Sequence, residues 1–329
     1  MKIAVVILNW NGKALLEQFL PSVIENSNDA TIYLADNASF DDSVDFVENK
    51  FPAVKIIKNS KNGGYAKGYN DALKQVDADV YCLLNSDVEV TENWLSPIID
   101  AFNENPKTAI IQPKLLDFNK KNYFEYAGAA GGFIDKYGYP YCRGRIFDTI
   151  EKDTGQYNDT SEIFWASGAC LFIRSQVFRE LKGFDEHFFA HMEEIDLCWR
   201  AKNFGYSIKY VGDSSIYHVG GATLSNSNPK KTFLNFRNSL FTLTKNARSP
   251  VFEKILVRLM LDAVAGIKFL FEFKPTHLLA IVKAHFSFYY HLRYLLKERK
   301  KSKIKINYYQ KTSIVFAYFV KRNSYYKTL

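Results

Sequence analysis

Within its first hundred residues the chain places four short, uninterrupted apolar runs, at residues 3–8, 31–35, 54–57 and 80–84. Between them lie stretches with apolar residues at helical spacing: Leu15, Leu16, Phe19, Leu20 and Val23, then Val44 and Val47, then residues 65–76. Continuous apolar strands alternating with helices predict an α/β fold with a mostly parallel central sheet covered by helices on both faces. Such sheets bind ligands beyond the carboxyl ends of their strands. The polar residues after each run should therefore share one rim: Asn9 and Asn11, Asp36 and Asn37, Asn62 to Gly64, and Asn85 with Asp87.

The remainder is less regular. Residues 114–165 carry glycine-rich and aromatic turns and read as irregular structure with short strands. A strand is expected at 169–173, a helix at 193–204 closed by Gly205, and strands at 208–211 and 215–217. Beyond residue 250 come two amphipathic basic segments, 252–273 and 277–296, and then the cluster Lys297 to Lys303. The net charge of +8 hides a split, since residues 251–329 carry 16 basic and 4 acidic side chains while the rest is net −4. A hydrophobic content of 47% excludes a disordered chain. No charge-free apolar stretch of about 20 residues predicts a membrane-spanning helix, and the N-terminus reads as a first strand rather than a signal peptide. The scattered cysteines Cys82, Cys142, Cys170 and Cys198 form no C-x-x-C pair, which fits a reduced cytosolic setting.

Several rim residues carry chemistry. Asp87 ends a buried strand where a carboxylate can hold a hard divalent cation, although capping a helix near Thr91 is the alternative. Asp36 can accept from a nucleobase or a ribose hydroxyl, or cap the helix that follows. Gly63, Gly64 and Gly68 would let backbone amides approach a phosphate at a helix N-terminus, or simply turn the chain. Glu193, Glu194 and Asp196 crowd three carboxylates into four positions, which suits a general base and is also what a helix N-terminus collects for its dipole. His187 and His191 lack the glutamate of a zinc-protease helix. His218 is followed by two glycines that leave room to place its imidazole near a site, against the commoner structural role of a lone histidine.

Seven motifs in order resemble the inverting glycosyltransferases of family 2, with the GT-A fold, and most closely the rhamnosyltransferase-like branch. They are residues 6–12 (VILNWNG), 36–39 (DNAS), 62–68 (NGGYAKG), 85–87 (NSD), 168–174 (GACLFIR), 193–200 (EEIDLCWR) and His218, across roughly residues 1–240. The resemblance implies a nucleotide-sugar half at 1–112 and an acceptor and catalytic half at 113–240, while the change of charge and pattern past residue 250 sets off a basic amphipathic helical tail at 250–329. It implies a donor site of Asn9, Asn11, Asp36, Asn62, Gly63, Gly64, Gly68, Asn85 and Asp87 for a UDP- or dTDP-sugar. A divalent metal, Mn²⁺ or Mg²⁺, would be held by Asp87 and His218. Asn85 replaces the first aspartate of the family's D-x-D motif and is left as a sugar or ribose contact. Glu194 stands where the family has its catalytic aspartate, with Glu193 and Asp196 as rivals. Trp165, Gly168 and Arg200 would line the acceptor groove, Trp165 stacking on a sugar.

The reading that follows is an enzyme moving a sugar to a glycan or lipid-linked glycan in cell-envelope or polysaccharide biosynthesis. The rivals are an inactive nucleotide-sugar-binding or membrane scaffold and a sugar nucleotidyltransferase, whose G-x-G-x-R-L loop is replaced here by Asn9-Trp10-Asn11-Gly12. Nucleic acid is not the expected partner of the basic tail, which mixes aromatics with long aliphatics. The tail is expected on an anionic membrane surface, placing the protein peripherally on the inner face of the cell membrane. Packing on the body or a homodimer contact is the alternative.

Overall fold

In a computed structural model describing residues 1–220, 228–301 and 304–329, the apolar runs become β1 (Ile3–Asn9), β2 (Ala30–Asp36), β3 (Lys55–Lys58) and β4 (Val80–Asn85). Helices α1 (Lys13–Glu25), α2 (Ser43–Lys50) and α3 (Gly64–Ala72) connect them. The four strands pair in parallel in the order β3-β2-β1-β4. Both faces of β1 are buried, with Ile3, Val5 and Ile7 in one apolar cluster beside Leu16 and Leu20 of α1. Ala4 and Val6 belong to a second cluster that includes Ala66 and Tyr69 of α3. This two-sided burial is why the strands read as continuous rather than alternating apolar runs.

After β5 (Val88–Val90) and α4 (Ser96–Glu104), the sheet is widened by β6 (Thr108–Asp117), a ten-residue strand that the sequence reading did not anticipate. A smaller four-stranded sheet follows, made of β7 (Gly132–Ile134), β8 (Pro140–Cys142), β9 (Arg145–Ile146) and β10 (Thr149–Ile150). Next come β11 (Thr160–Glu162), β12 (Cys170–Arg174), α5 (Ser175–Glu180), α6 (Glu193–Asn203) and β13 (Ser207–His218). β12 inserts antiparallel between β4 and β6, and β13 runs parallel to β6. The two strands expected at 208–211 and 215–217 are one strand with an irregularity between Val211 and Ser215.

The last third is α7 (Pro229–Asn246), α8 (Val251–Phe271), α9 (Pro275–Arg299) and α10 (Ile314–Phe319). It is not a separate appendage. Phe288, Leu295, Tyr308 and Ile314 join the same apolar cluster as β1 and α3. The Ile314 amide donates to Asp135 Oδ2 at 3.0 Å, and Tyr326 packs on Phe133 of the small sheet with ring centroids 5.5 Å apart. The boundary expected between 240 and 250 therefore divides residues that pack as one body. None of the helices among the described residues is long and apolar enough to cross a membrane.

Candidate active site

The exits of β1 and β2 are welded together. Asn9 is fully buried, and its amide nitrogen lies 3.2 Å from Asp36 Oδ1, 3.2 Å from Ser39 Oγ and 2.8 Å from Ser43 Oγ. Asp36 Oδ2 accepts from the Ser39 amide at 3.0 Å, and Asn11 Oδ1 accepts from the Phe40 amide at 2.9 Å. Asp36 therefore lies at the rim and holds the turn after β2 but does not cap α2, whose N-cap position is Asp42. Above the weld stand Trp10 and Phe40, exposed and edge to face at 6.3 Å.

The glycine loop is shaped by contact as well as by turning. Asn62 Oδ1 accepts from the Gly64 amide at 2.9 Å and from Asn37 Nδ2 at 3.0 Å. Gly64 has φ +77°, and a Cβ there would meet the Phe189 carbonyl at 2.5 Å, so only glycine fits. A Cβ at Gly68 would press on Leu8 Cδ1 at 2.9 Å, whereas at Gly63 it would meet only the movable Lys67 side chain. The Tyr65 amide donates to the Phe189 carbonyl at 2.9 Å, which ties this loop to the segment before α6.

Asp87 does not cap a helix at Thr91. The residues after it form β5, which pairs antiparallel with the end of β13 and brings His218 opposite Val88. His218 Nε2 lies 3.1 Å from Asp87 Oδ1, and Asn85 Nδ2 is 3.4 Å from the same nitrogen. On its other side, His218 Nδ1 is 3.3 Å from Glu125 Oε1, although not aligned for a hydrogen bond. All three of Asp87, His218 and Glu125 are buried. Burial alone would lower the His218 pKa, but Glu125 and Asp87 outweigh it and raise the pKa to about 10. Burial likewise opposes ionisation of Asp87, and His218 more than offsets it, holding the carboxyl below its ordinary range. Carboxylate and imidazole are donor types that a divalent cation takes, but at pH 7 the protonated ring spends its Nε2–H on Asp87, so a cation could be held by this pair only as that proton leaves. Among the described residues no three His, Cys, Asp or Glu side chains form a complete metal cage. Gly221, which the sequence reading placed beside His218, lies outside the described residues.

The acidic helix α6 begins with Glu193 and Glu194. Burial and the neighbouring Glu194 raise the Glu193 pKa well above its ordinary value, and burial pushes Glu194 up to about 7 despite the amides of the first turn. One oxygen of each carboxyl, and Nε2 of His191, is buried without a hydrogen-bond partner. Burial, reinforced by Lys231, lowers the His191 pKa to about 4, so this ring is neutral at pH 7. Asp196 differs: it is fully buried, with Arg200 Nε at 2.8 Å, Lys245 Nζ at 3.0 Å and Asn246 Nδ2 at 2.7 Å. Burial would raise its pKa, but Lys245 and Arg200 hold it below the ordinary range.

The loop before α6 is strained, with Phe189, His191 and Met192 at φ +64°, +69° and +72°. Non-glycine residues in this region cost about 1–3 kcal/mol each and persist only when surrounding contacts over-determine them. α7 supplies those contacts. Asn238 Nδ2 donates to the carbonyls of Phe188, Ala190 and His191 at 3.0, 2.9 and 2.7 Å, and Arg237 donates to those of His187 and Phe188. Lys245 reaches Asp185 at 2.6 Å. The sequence reading missed Arg237, Asn238, Lys245, Asn246 and Glu125.

Two expected acceptor residues are corrected. Trp165 is 2% exposed, its indole N–H donates to the Phe133 carbonyl at 2.7 Å, and its ring lies where a Cβ on Gly132 would stand. It is a core residue with no free face for a sugar. Arg200 spends its guanidinium on Asp196 and on the Leu181 and Gly183 carbonyls. Gly168 does lie at the rim, its carbonyl accepting from Tyr65 Oη at 2.8 Å while the next residue, Ala169, accepts from the Asn85 amide.

Comparison with known proteins gives the same picture. The model of Glycosyl transferase family 2 matches residues 4–182. The chain is 25% identical over 230 residues to the N-acetylglucosaminyl-diphospho-decaprenol L-rhamnosyltransferase of Mycobacterium tuberculosis, covering 65% of this chain and 75% of that protein. Among solved structures, GalNAc-T7 with UDP, GalNAc and Mn²⁺ superposes with a TM-score of 0.65 at 14% identity, covering 98% of this chain and 57% of that one. The mannosyltransferase PcManGT from Pyrobaculum calidifontis, in complex with GDP-Man and Mn²⁺, gives 0.53 at 13% identity, covering 91% and 84%. These likenesses establish the GT-A fold expected from the sequence.

Proposed function

This chain belongs to glycosyl transferase family 2, and we propose that it is an inverting, metal-dependent enzyme that moves a sugar from a nucleoside diphosphate to a hydroxyl of a glycan or lipid-linked glycan. The observation that carries the reading is the presence on one rim of two constellations, Asp87-His218-Glu125 and Glu193-Glu194: the Tyr65 amide bonds the Phe189 carbonyl before the second, and the Tyr65 hydroxyl bonds Gly168, whose neighbour Ala169 holds Asn85 beside the first. The donor diphosphate passes over the loop edge formed by exposed Asn62 and half-buried Gly63, since the Gly64 and Tyr65 amides are already bonded and Gly68 packs on Leu8, and its base sits at Asp36 beside the exposed Trp10 and Phe40. Asn85 contacts the ribose or the sugar.

Asp87 and His218 Nε2 would hold the divalent cation, which supplies neutralising charge to the departing diphosphate. Glu125 sets a negative charge on the Nδ1 side of the ring. Glu194 takes the proton from the acceptor hydroxyl as that oxygen attacks the anomeric carbon opposite the leaving group, so one displacement inverts the configuration. A carboxyl near pH 7 with a buried free oxygen is suited to that transfer. Asp196 is held by three donors and serves to position the helix. The names of the relatives, a decaprenyl-linked rhamnosyltransferase above all, favour a lipid-linked acceptor and a rhamnosyl or hexosyl donor.

A thermal-shift screen of UDP- and dTDP-sugars with and without Mn²⁺ tests this reading. Stabilisation by at least one nucleotide sugar that disappears in EDTA is expected. A chain that transfers sugar at full rate in chelator would remove the metal roles of Asp87 and His218.

A further inference from the structure

Helix α8 buries charge beside apolar residues, with Val251 and Ile255 joining the core, and exposes an apolar stripe. Its buried face carries Lys254, Arg258 and Asp262 at successive i+4 positions, all at most 5% exposed. Asp262 accepts from Arg258 Nε at 2.7 Å and Tyr139 Oη at 3.1 Å, and lies 3.2 Å from His285 Nε2. Its outer face carries Phe252, Leu256, Met260, Val264, Ile267 and Phe271 at helical spacing, from 52% to 81% exposed. A water-facing helix has the opposite arrangement, and an apolar stripe of this length on the outside marks a surface meant to be covered.

The neighbouring α9, whose buried face is mostly apolar, also exposes Leu279, Phe286 and Tyr290, and Phe273 at the connection is 93% exposed. The exposed charges on this hairpin are basic except for Glu253 and Glu272, and Glu272 is bridged by Lys268 at 3.4 Å and Lys274 at 2.9 Å. Apolar side chains set among lysines match an anionic lipid surface, where the chains enter the interface and the ammonium groups stay with the headgroups. No described helix is apolar enough to cross, so the hairpin would lie in the plane.

We infer that the outer face of α8 and α9 docks this protein on an anionic bilayer. The hairpin tip lies beside the candidate site: His277 Nδ1 is 2.7 Å from Thr232 Oγ1 in the first turn of α7, where Lys230 sits over the Phe189 ring at 5.1 Å. Docking there would bring the loop before α6, which leads to the proposed base, towards the membrane surface. The placement rests on the proposed transferase reading, whereas the docking itself rests on the hairpin alone. Of the cluster Lys297 to Lys303, Ser302 and Lys303 lie outside the described residues.

The test is sedimentation of the full chain with vesicles of phosphatidylcholine alone or mixed equally with phosphatidylglycerol. The wild type is expected to pellet with the anionic vesicles at low salt, and the double variant Met260→Glu, Ile267→Glu to partition at least about tenfold less. Recovery of the wild type in the supernatant, or unchanged pelleting of the double variant, overturns the inference. So does a wild-type dimer in analytical ultracentrifugation that the double variant splits, which would give the face to a second copy. Nucleotide-sugar binding by the same preparations is measured separately, so failure of docking and failure of the transferase reading are distinguishable.

Discussion

At the residue scale, Glu194 and Glu125 make the sharpest commitments. A base must be ionised to act, and burial raises the pKa of Glu194 to about 7, so the transfer rate should climb through that pH and level above it. Glu194→Gln should cost about 10²–10⁴-fold in turnover with donor affinity nearly unchanged. Wild-type turnover in that variant, with loss in Glu193→Gln, would move the role to Glu193. Glu125→Gln should weaken Mn²⁺ affinity about 10–100-fold by calorimetry, because it removes the negative charge on the Nδ1 side of the His218 ring. Asp87 and His218 were legible in the sequence because each ends an apolar strand. Glu125 was not, since it sits in the irregular segment after β6 and only the crossover to β13 brings it within 3.3 Å of His218. Trp165 shows the opposite failure: a tryptophan near a predicted groove looks like a sugar platform until its burial is known.

At the element scale, α7 is the brace of the catalytic loop, and its own sequence conceals this. Asn238, Lys245 and Asn246 interrupt the apolar face of the helix, because that face must bind carbonyls and carboxylates as well as pack. Local rules tend to fail where a segment serves a site rather than only the core. Lys245→Met would leave Asp185 and Asp196 buried with less counter-charge, costing about 3–5 kcal/mol by chemical denaturation. Burial would raise both carboxyls, yet His187 and Lys245 for Asp185, and Lys245 and Arg200 for Asp196, hold them below the ordinary range. Depressed carboxyl pKa values contribute stability above the unfolded value near 4 that is lost as pH falls further. Acid unfolding below that value should therefore be shallower in Lys245→Met than in the wild type. Equal stability and equal acid slopes would show that the pair does not hold the loop. β6 was missed for a simpler reason: Pro113 and Lys114 break its apolar run, although all its residues but Asp117 are buried.

At the scale of the whole molecule, the split of charge between the first 250 residues and the rest is real, and residues from both sides of it share one apolar cluster. The alternation of runs in residues 1–85 pointed to a parallel sheet because β1, β2 and β3 are each followed by a helix that must return. The chain beyond residue 250 could not be placed that way, since periodicity reveals a face and not what covers it. Its inner face covers the body, and residues 304–329 close the small sheet through Ile314 and Tyr326. A chain ending at residue 303 should melt well below the full chain and expose apolar surface to a reporter dye. Identical melting curves would restore the tail to an independent unit.

The central claim is that Asp87 and His218 form, with a divalent cation, the seat of a nucleoside diphosphate. Isothermal titration of UDP and dTDP into the wild type and into Asp87→Asn and His218→Ala, each with Mn²⁺ and with EDTA, tests it directly. The account predicts Mn²⁺-dependent binding to the wild type, weakened at least about 100-fold in both variants while each still melts cooperatively. Binding of equal strength in EDTA, or in either variant, would contradict it.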